Sequence, residues 1–161
     1  MSDIRFQVID SPVGNLYLAD NGVALVALVY ERAWPVLSAR LGSLREQPSA
    51  LLDRCRICLE EYFSGQRKTF DFPLSVSGTA FQQKIWRTLE TIPYGETRSY
   101  AELARLAGFP RAWRAAGSAN AVNPVSIIVP CHRVIASDGS LAGYGGGQAA
   151  KRWLLQREGV I

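Results

Sequence analysis

Residues 4–30 constrain the fold more tightly than any other stretch. "IRFQVID" alternates, with Ile4, Phe6 and Val8 on one face, and "NLYLA" alternates again after the turn chemistry of "SPVG". The hairpin signal "DNG" at 20–22 then leads into "VALVALVY". Period-two alternation cut by turn residues predicts three sequential antiparallel strands. Residues 33–42 read as a short helix starting near Pro35 and stopping at Gly42. Residues 49–63 read as a better one, with Leu51, Leu52, Cys55, Leu59, Tyr62 and Phe63 at helical spacing and Gly65 at its end.

"VSGTAFQQK" around 76–84 marks a boundary, a small-residue stretch running into a capped helix. Phe81, Ile85, Leu89 and Ile92 form that helix's apolar stripe, and "PYG" ends it. A short helix over 99–107 opens with a capping box, Ser99 with Glu102. "GFP" breaks it, and another helix begins near Arg111. The fold class is therefore α+β: an N-terminal domain over 1–75, built from antiparallel strands plus helix, then a mostly helical C-terminal domain over 76–161.

The 161 residues, 48% hydrophobic, are enough to bury a core. No apolar run approaches a membrane span, and "MSDIRFQVID" lacks a basic region and small-residue cleavage site, so a soluble cytoplasmic protein is expected. Charge is uneven: residues 1–78 carry 8 basic and 9 acidic side chains, and residues 79–161 carry 10 and 5. The basic half suits either a polyanion, nucleic acid foremost, or solubility alone.

Two helices joined by a Gly-containing turn, the second opening with "RAWR", fit a helix-turn-helix. After Arg111 and Arg114 the second helix is nearly all small residues, so its backbone can approach either a neighbouring core helix or a nucleic-acid groove. "CRIC" at 55–58 has metal-like spacing, but Cys55 lies on an apolar stripe and no second cysteine pair exists. Packed thiols are the expectation, because a structural zinc needs four ligands. "GYGGG" is followed by no Lys-Ser/Thr pair and follows no strand, which excludes a nucleotide cradle. It reads instead as a tight loop packed close to a pocket.

The chemistry centres on "VSIIVPCHRVI" at 125–135, where Cys131 precedes the single histidine, His132. Adjacent side chains on a helix or strand do not face each other. If His132 activates Cys131, a bound water must bridge them, and the far ring nitrogen needs an acceptor such as Glu158. The alternative is a buried structural thiol beside a solvent-facing imidazole. Glu158 near a helix end opposes the helix dipole, which implies either a specific partner or an exposed side chain.

"PCHRVI", together with "GTAFQQKIWRTLETIPYGETRSYAELA", Asn123-Pro124, "GYGGG" and "KRWLLQREG", resembles the O6-alkylguanine-DNA alkyltransferases in order and spacing over residues 76–160. The resemblance implies a DNA repair protein, with a winged-helix-like helix-turn-helix, that moves an alkyl group from O6 of guanine (less readily O4 of thymine) onto Cys131. The target base must be flipped out of the stack. It further implies Cys131, His132, Glu158 and Tyr100 as the reacting groups. Asn123, Val134, Tyr144 and Gly145 would line the base pocket. Arg114 would be the finger filling the vacated space. Arg111, Ala115, Gly117, Ser118 and Arg133 would join it on the minor groove of double-stranded DNA. A thioether is not hydrolysed, so one protein repairs one lesion, as a monomer without cofactor or metal. Trp113 departs from the family's usual Ala-Arg-Ala-Val-Gly finger. Rival readings are a turnover cysteine hydrolase, a helix-turn-helix regulator, and a non-enzymatic alkyltransferase-like lesion binder; relatives of that last kind lack the cysteine present here.

Overall fold

The computed structural model describes residues 3–161; Met1 and Ser2, which open the stretch read for a leader, lie outside the described residues. Strands β1 (Ile4–Ile9), β2 (Leu16–Asp20) and β3 (Leu25–Tyr30) pair antiparallel in sequence. A further strand, β4 (Leu44–Glu46), pairs parallel to β1, so the sheet is mixed and ordered β3-β2-β1-β4 rather than purely antiparallel. Three residues, two of them charged, carry no alternation; backbone pairing to an open edge defines this strand. Helix α1 (Trp34–Leu41) has Pro35 in its first turn and ends at Gly42, whose φ of 84° is costly for any side chain.

Helix α2 (Ala50–Phe63) is fastened to the sheet through its cap. Ser49 accepts from the Leu52 amide at 3.0 Å and donates its own proton to the buried Asp20 carboxylate. Cys55 and Cys58 are both buried free thiols on this helix, and burial pushes the Cys55 thiol up to about 12. Packed thiols are what the α2 stripe makes of them.

The C-terminal half holds α3 (Ala80–Leu89), α4 (Tyr100–Leu106), α5 (Trp113–Ala121) and α6 (Gln148–Arg157). Capping boxes Thr79/Gln82 and Ser99/Glu102 start α3 and α4. Helix α5 starts at Trp113 rather than Arg111, because the Ala112 amide closes a turn on the Phe109 carbonyl at 2.9 Å. Its small residues serve two faces. Ala116 and Ala119 are buried, with the Trp86 indole donating to the Ala119 carbonyl at 2.9 Å, while Ala115 and Ser118 are exposed. Strand pairing in this half is slight among the described residues. The half's one strand pair, β5 (Arg98–Ser99) with β6 (Val134–Ile135), is parallel and two residues long.

One hydrophobic core joins Leu16 and Leu28 of the sheet, Leu59 of α2, Ile85 of α3, Leu103 of α4 and Leu154 of α6. The free edge of β3 is covered by extended chain. Leu25 exchanges backbone bonds with Pro73 and Ser75, and Leu28 does so with Pro124 and Ser126, all at 2.8–2.9 Å. That pairing sets residues 123–126, and the segment after them, against the sheet.

Candidate active site

The segment after Ser126 turns sharply: Ile127 adopts φ 72°, a strained value for a β-branched residue. Pro130 then caps a single 3₁₀ turn, Cys131–Arg133. With three residues per turn, successive side chains point about 120° apart. Cys131 lines a cavity, whereas His132 is fully buried behind it. The solvent-facing imidazole is thereby excluded. His132 Nε2 lies 2.7 Å from Glu158 Oε2. A carboxylate only accepts, so Nε2 carries the proton and Nδ1 holds the lone pair. Nδ1 is buried with no hydrogen-bond partner among the described residues.

Glu158 caps the C-terminus of α6, where the dipole disfavours it, and its partners compensate. Tyr62 of α2 donates to Oε2 at 2.6 Å, the Gly95 amide to Oε1 at 3.2 Å, and Arg133 to both oxygens at 2.8 and 3.1 Å. Burial opposes ionisation, but the hydrogen bonds from His132 and Arg133 and the Arg133 charge win, holding this carboxyl well below the usual carboxylate range. Burial is the main cause lowering the pKa of His132; it opposes the pull of Glu158, and the positive charges of Arg133 and Lys151 add to it. The resting imidazole is neutral and able to accept a proton.

The cavity, about 300 Å³, gathers Tyr100, Gly117, Asn123, Cys131, Tyr144 and Gly145. Asn123 is fixed by its own bonds, Nδ2 to the Val129 carbonyl at 2.8 Å and Oδ1 from the Val125 amide at 3.0 Å. Burial raises the Cys131 pKa, opposed in turn by Asn123, Lys151 and Ser126. The resting sulfur is therefore a thiol that needs a base at the moment of reaction, not a preformed thiolate. Tyr100 is likewise raised by burial and by Cys131, so its hydroxyl stays a neutral donor.

Several contributors escape sequence reasoning. Lys151 is fully buried, donates to the carbonyls of Val134 at 2.6 Å and Gly143 at 3.3 Å, and is pushed down to about 8 by burial. Its signal was available: Lys151, Leu154, Leu155 and Glu158 fall at i, i+3, i+4, i+7 on one helix face. Tyr62 shows only as part of the α2 stripe, and Tyr30, Ser126 and Asn120 give no local signal of a place in the site. Asn120 lines the cavity, and its side-chain oxygen is buried without a partner among the described residues.

Two expectations are corrected. Arg133 does not face outward: it is 7% exposed and spent on Glu158 and the Ile92 carbonyl, so it belongs to the relay's scaffold rather than to a DNA surface. Val134 is buried behind the cavity and presents its carbonyl to Lys151 instead of lining the pocket. Arg111, Arg114, Ala115 and Ser118 are exposed, and Gly117 lies against the Tyr100 ring. The Arg114 guanidinium sits 5.1 Å over the Trp113 indole, itself 48% exposed. Tyr100, Arg114 and Ser118 share a second, shallower groove next to the first.

Residues 4–76 match the family described as 6-O-methylguanine DNA methyltransferase, ribonuclease-like domain, and residues 80–160 match the DNA binding domain of the same description. The chain is 46% identical over 160 residues to a methylated-DNA–protein-cysteine methyltransferase of Mycobacterium tuberculosis, covering 96% of this chain and 92% of the relative. The constitutive enzyme of that name from Bacillus subtilis is 41% identical over 153 residues, 94% of this chain and 93% of the relative. Among solved structures, Mycobacterium tuberculosis OGT in complex with DNA superimposes with a TM-score of 0.87 at 46% identity, covering 96% of this chain and 92% of that one.

Proposed function

The chain belongs to the 6-O-methylguanine DNA methyltransferase family, and from that premise we propose that it repairs DNA by moving the alkyl group of O6-alkylguanine onto Sγ of Cys131, once per molecule. One observation carries this reading. A buried cysteine lines a base-sized cavity, and the histidine next to it is held in the proton-accepting tautomer by a buried, multiply bonded glutamate.

His132 Nδ1 and the thiol diverge from one turn, so a water molecule relays the proton. A buried ring nitrogen without a protein partner is where such a water belongs. As the S–H proton passes to His132, sulfur attacks the alkyl carbon in line and the carbon–O6 bond breaks, its electron pair leaving with the base. Tyr100 supplies a proton to the guanine anion and is restored, through solvent, by the one taken up on His132. Thiol and O6-alkylguanine thus become thioether and guanine, with no atom or charge left over. Lys151 and the side chains of Asn123 and Ser126 stabilise the transient thiolate. No group beside Cys131 is suited to cleave a thioether, so the reaction stops at one equivalent.

The nucleotide must leave the duplex to reach a buried sulfur. The exposed face of α5 is the surface we assign to the minor groove, with Arg114 filling the vacated space and Arg111, Ala115 and Ser118 flanking it. The acting unit is a monomer divided near residue 76, working in the cytoplasm; no described helix is long and apolar enough to cross a membrane. Incubation with excess alkylated duplex should add a single alkyl mass to the intact protein and none to Cys131→Ala. Release of more than one equivalent of repaired base, or no mass gain, would overturn the proposal.

A further inference from the structure

The cavity beside Cys131 is not built by the C-terminal half alone. Val29, Tyr30 and Ala33, from the end of β3 and the turn after it, form one of its walls. Tyr30 is the anchor of that wall, being the last residue of β3 and 6% exposed. Its hydroxyl lies 2.8 Å from that of Tyr144, and the two rings meet edge to face with centroids 5.4 Å apart. The Gly146 backbone is laid directly on the Tyr30 ring, since a Cβ there would stand 2.5 Å from a ring carbon.

Residues 142–147 contain no helix or strand; a turn from the Gly147 amide to the Tyr144 carbonyl at 3.0 Å sets the backbone and leaves the Tyr144 ring to be placed by other elements. The loop is held at its start by Lys151 on the Gly143 carbonyl at 3.3 Å and by Gln148 on the Ala142 carbonyl at 3.2 Å. Just after them, the Tyr144 ring takes its place from a phenol 114 residues earlier in the chain. A ring rooted in a paired strand is a rigid support, and a hydrogen-bonded aromatic pair resists displacement.

Resting on the alkyl-transfer reading, we propose that Tyr30 is a specificity-determining residue. With Tyr144 it forms a fixed two-ring wall that limits the size of the alkyl group accommodated between O6 and the Cys131 sulfur. Small adducts fit under this wall. Bulky, flat ones such as benzyl require the wall to yield. The N-terminal sheet therefore acts on substrate choice as well as on stability.

Transfer rates from O6-methylguanine and O6-benzylguanine, at the same position in one duplex, test this. The benzyl-to-methyl rate ratio cancels losses common to both substrates, such as partial unfolding or weaker DNA binding. Tyr30→Leu keeps an apolar side chain in the core but removes the ring and hydroxyl, and should raise the ratio about 10-fold, the scale set by small changes of pocket volume. Tyr30→Phe keeps the ring but removes the hydroxyl that holds Tyr144, and should raise the ratio by less than Tyr30→Leu does. Should Tyr30→Leu not fold, Tyr144→Leu removes the other ring and must shift the ratio the same way. An unchanged ratio in a folded Leu variant overturns the wall. A wild-type protein that accepts neither group overturns the alkyl-transfer reading instead.

Discussion

Replacing Glu158 by Gln keeps the side-chain volume and removes one buried charge. Oε1 accepts from Arg133 Nε and the Gly95 amide; Oε2 accepts from Tyr62, His132 and Arg133 Nη2. An amide has one accepting oxygen and one donating nitrogen, so either orientation sets donors against donors at one of these positions. Arg133, 7% exposed, also keeps its charge without a counter-ion. Removing one partner of a buried ion pair costs about 3–5 kcal/mol. At about 2–4 °C per kcal/mol for a chain of this size, the melting temperature should drop by about 6–20 °C. Alkyl transfer should slow at least ~100-fold, because the imidazole loses the acceptor that fixes its tautomer. The pH dependence has a definite sign. The folded carboxyl titrates below its ordinary value of 4.5, so on acidification the unfolded chain takes up the proton first. Stability from Glu158 is complete above the ordinary value and drains away as pH falls toward the folded one. Circular-dichroism melts of both proteins across this range read it directly: the gap should hold near neutrality and narrow below about pH 4.5. A Gln variant melting within about 3 °C of wild type at pH 7 would refute the argument that this carboxylate is the charge balancing the site.

Three further outcomes are expected. Lys151→Met leaves the buried Val134 carbonyl unpaired, at about 1–3 kcal/mol, releases the exposed Gly143 carbonyl to solvent, and withdraws a cation that favours the Cys131 thiolate. Chemical denaturation should show the loss, and the pH at which transfer is half-maximal should move up. Arg114→Ala should slow transfer from duplex DNA at least ~10-fold while sparing transfer from the free alkylated base; equal losses would remove its role as the finger. Finally, the S-methylated protein should be less stable than the free protein by ~1–3 kcal/mol, since the added methyl crowds the side chains around a Cys131 that is only 5% exposed; superimposable melts would contradict this.

The parts of this fold that were legible in the sequence are those governed by local rules. Alternation gave β1 to β3, the small-residue boundary gave the start of α3, the Ser99/Glu102 capping box gave that of α4, and Gly42 gave the end of α1. β4 was invisible because a three-residue edge strand is defined by its partner, not by its own pattern. The refusal of adjacent side chains to face each other correctly separated Cys131 from His132 and directed attention to Glu158. Arg133 misled for a related reason: a basic residue next to a reactive one resembles a contact for DNA, and only tertiary packing reveals it as a buried counter-ion. Tyr62 and Tyr30 are distant in sequence from every residue they serve, so no local spacing could mark them.

The bond between Tyr62 and Glu158 spans 96 residues, and the pairing of Tyr30 with Tyr144 spans 114. Contacts of such high sequence separation form late in folding, because they close large loops of chain. The base that activates the nucleophile, and the wall that shapes its pocket, therefore exist only once both ends of the polypeptide have docked. Before that docking, the Cys131 thiol has neither the His132–Glu158 pair beside it nor the cavity around it. Its competence to react is thus a property of the finished molecule, one that a fragment lacking either end would not carry.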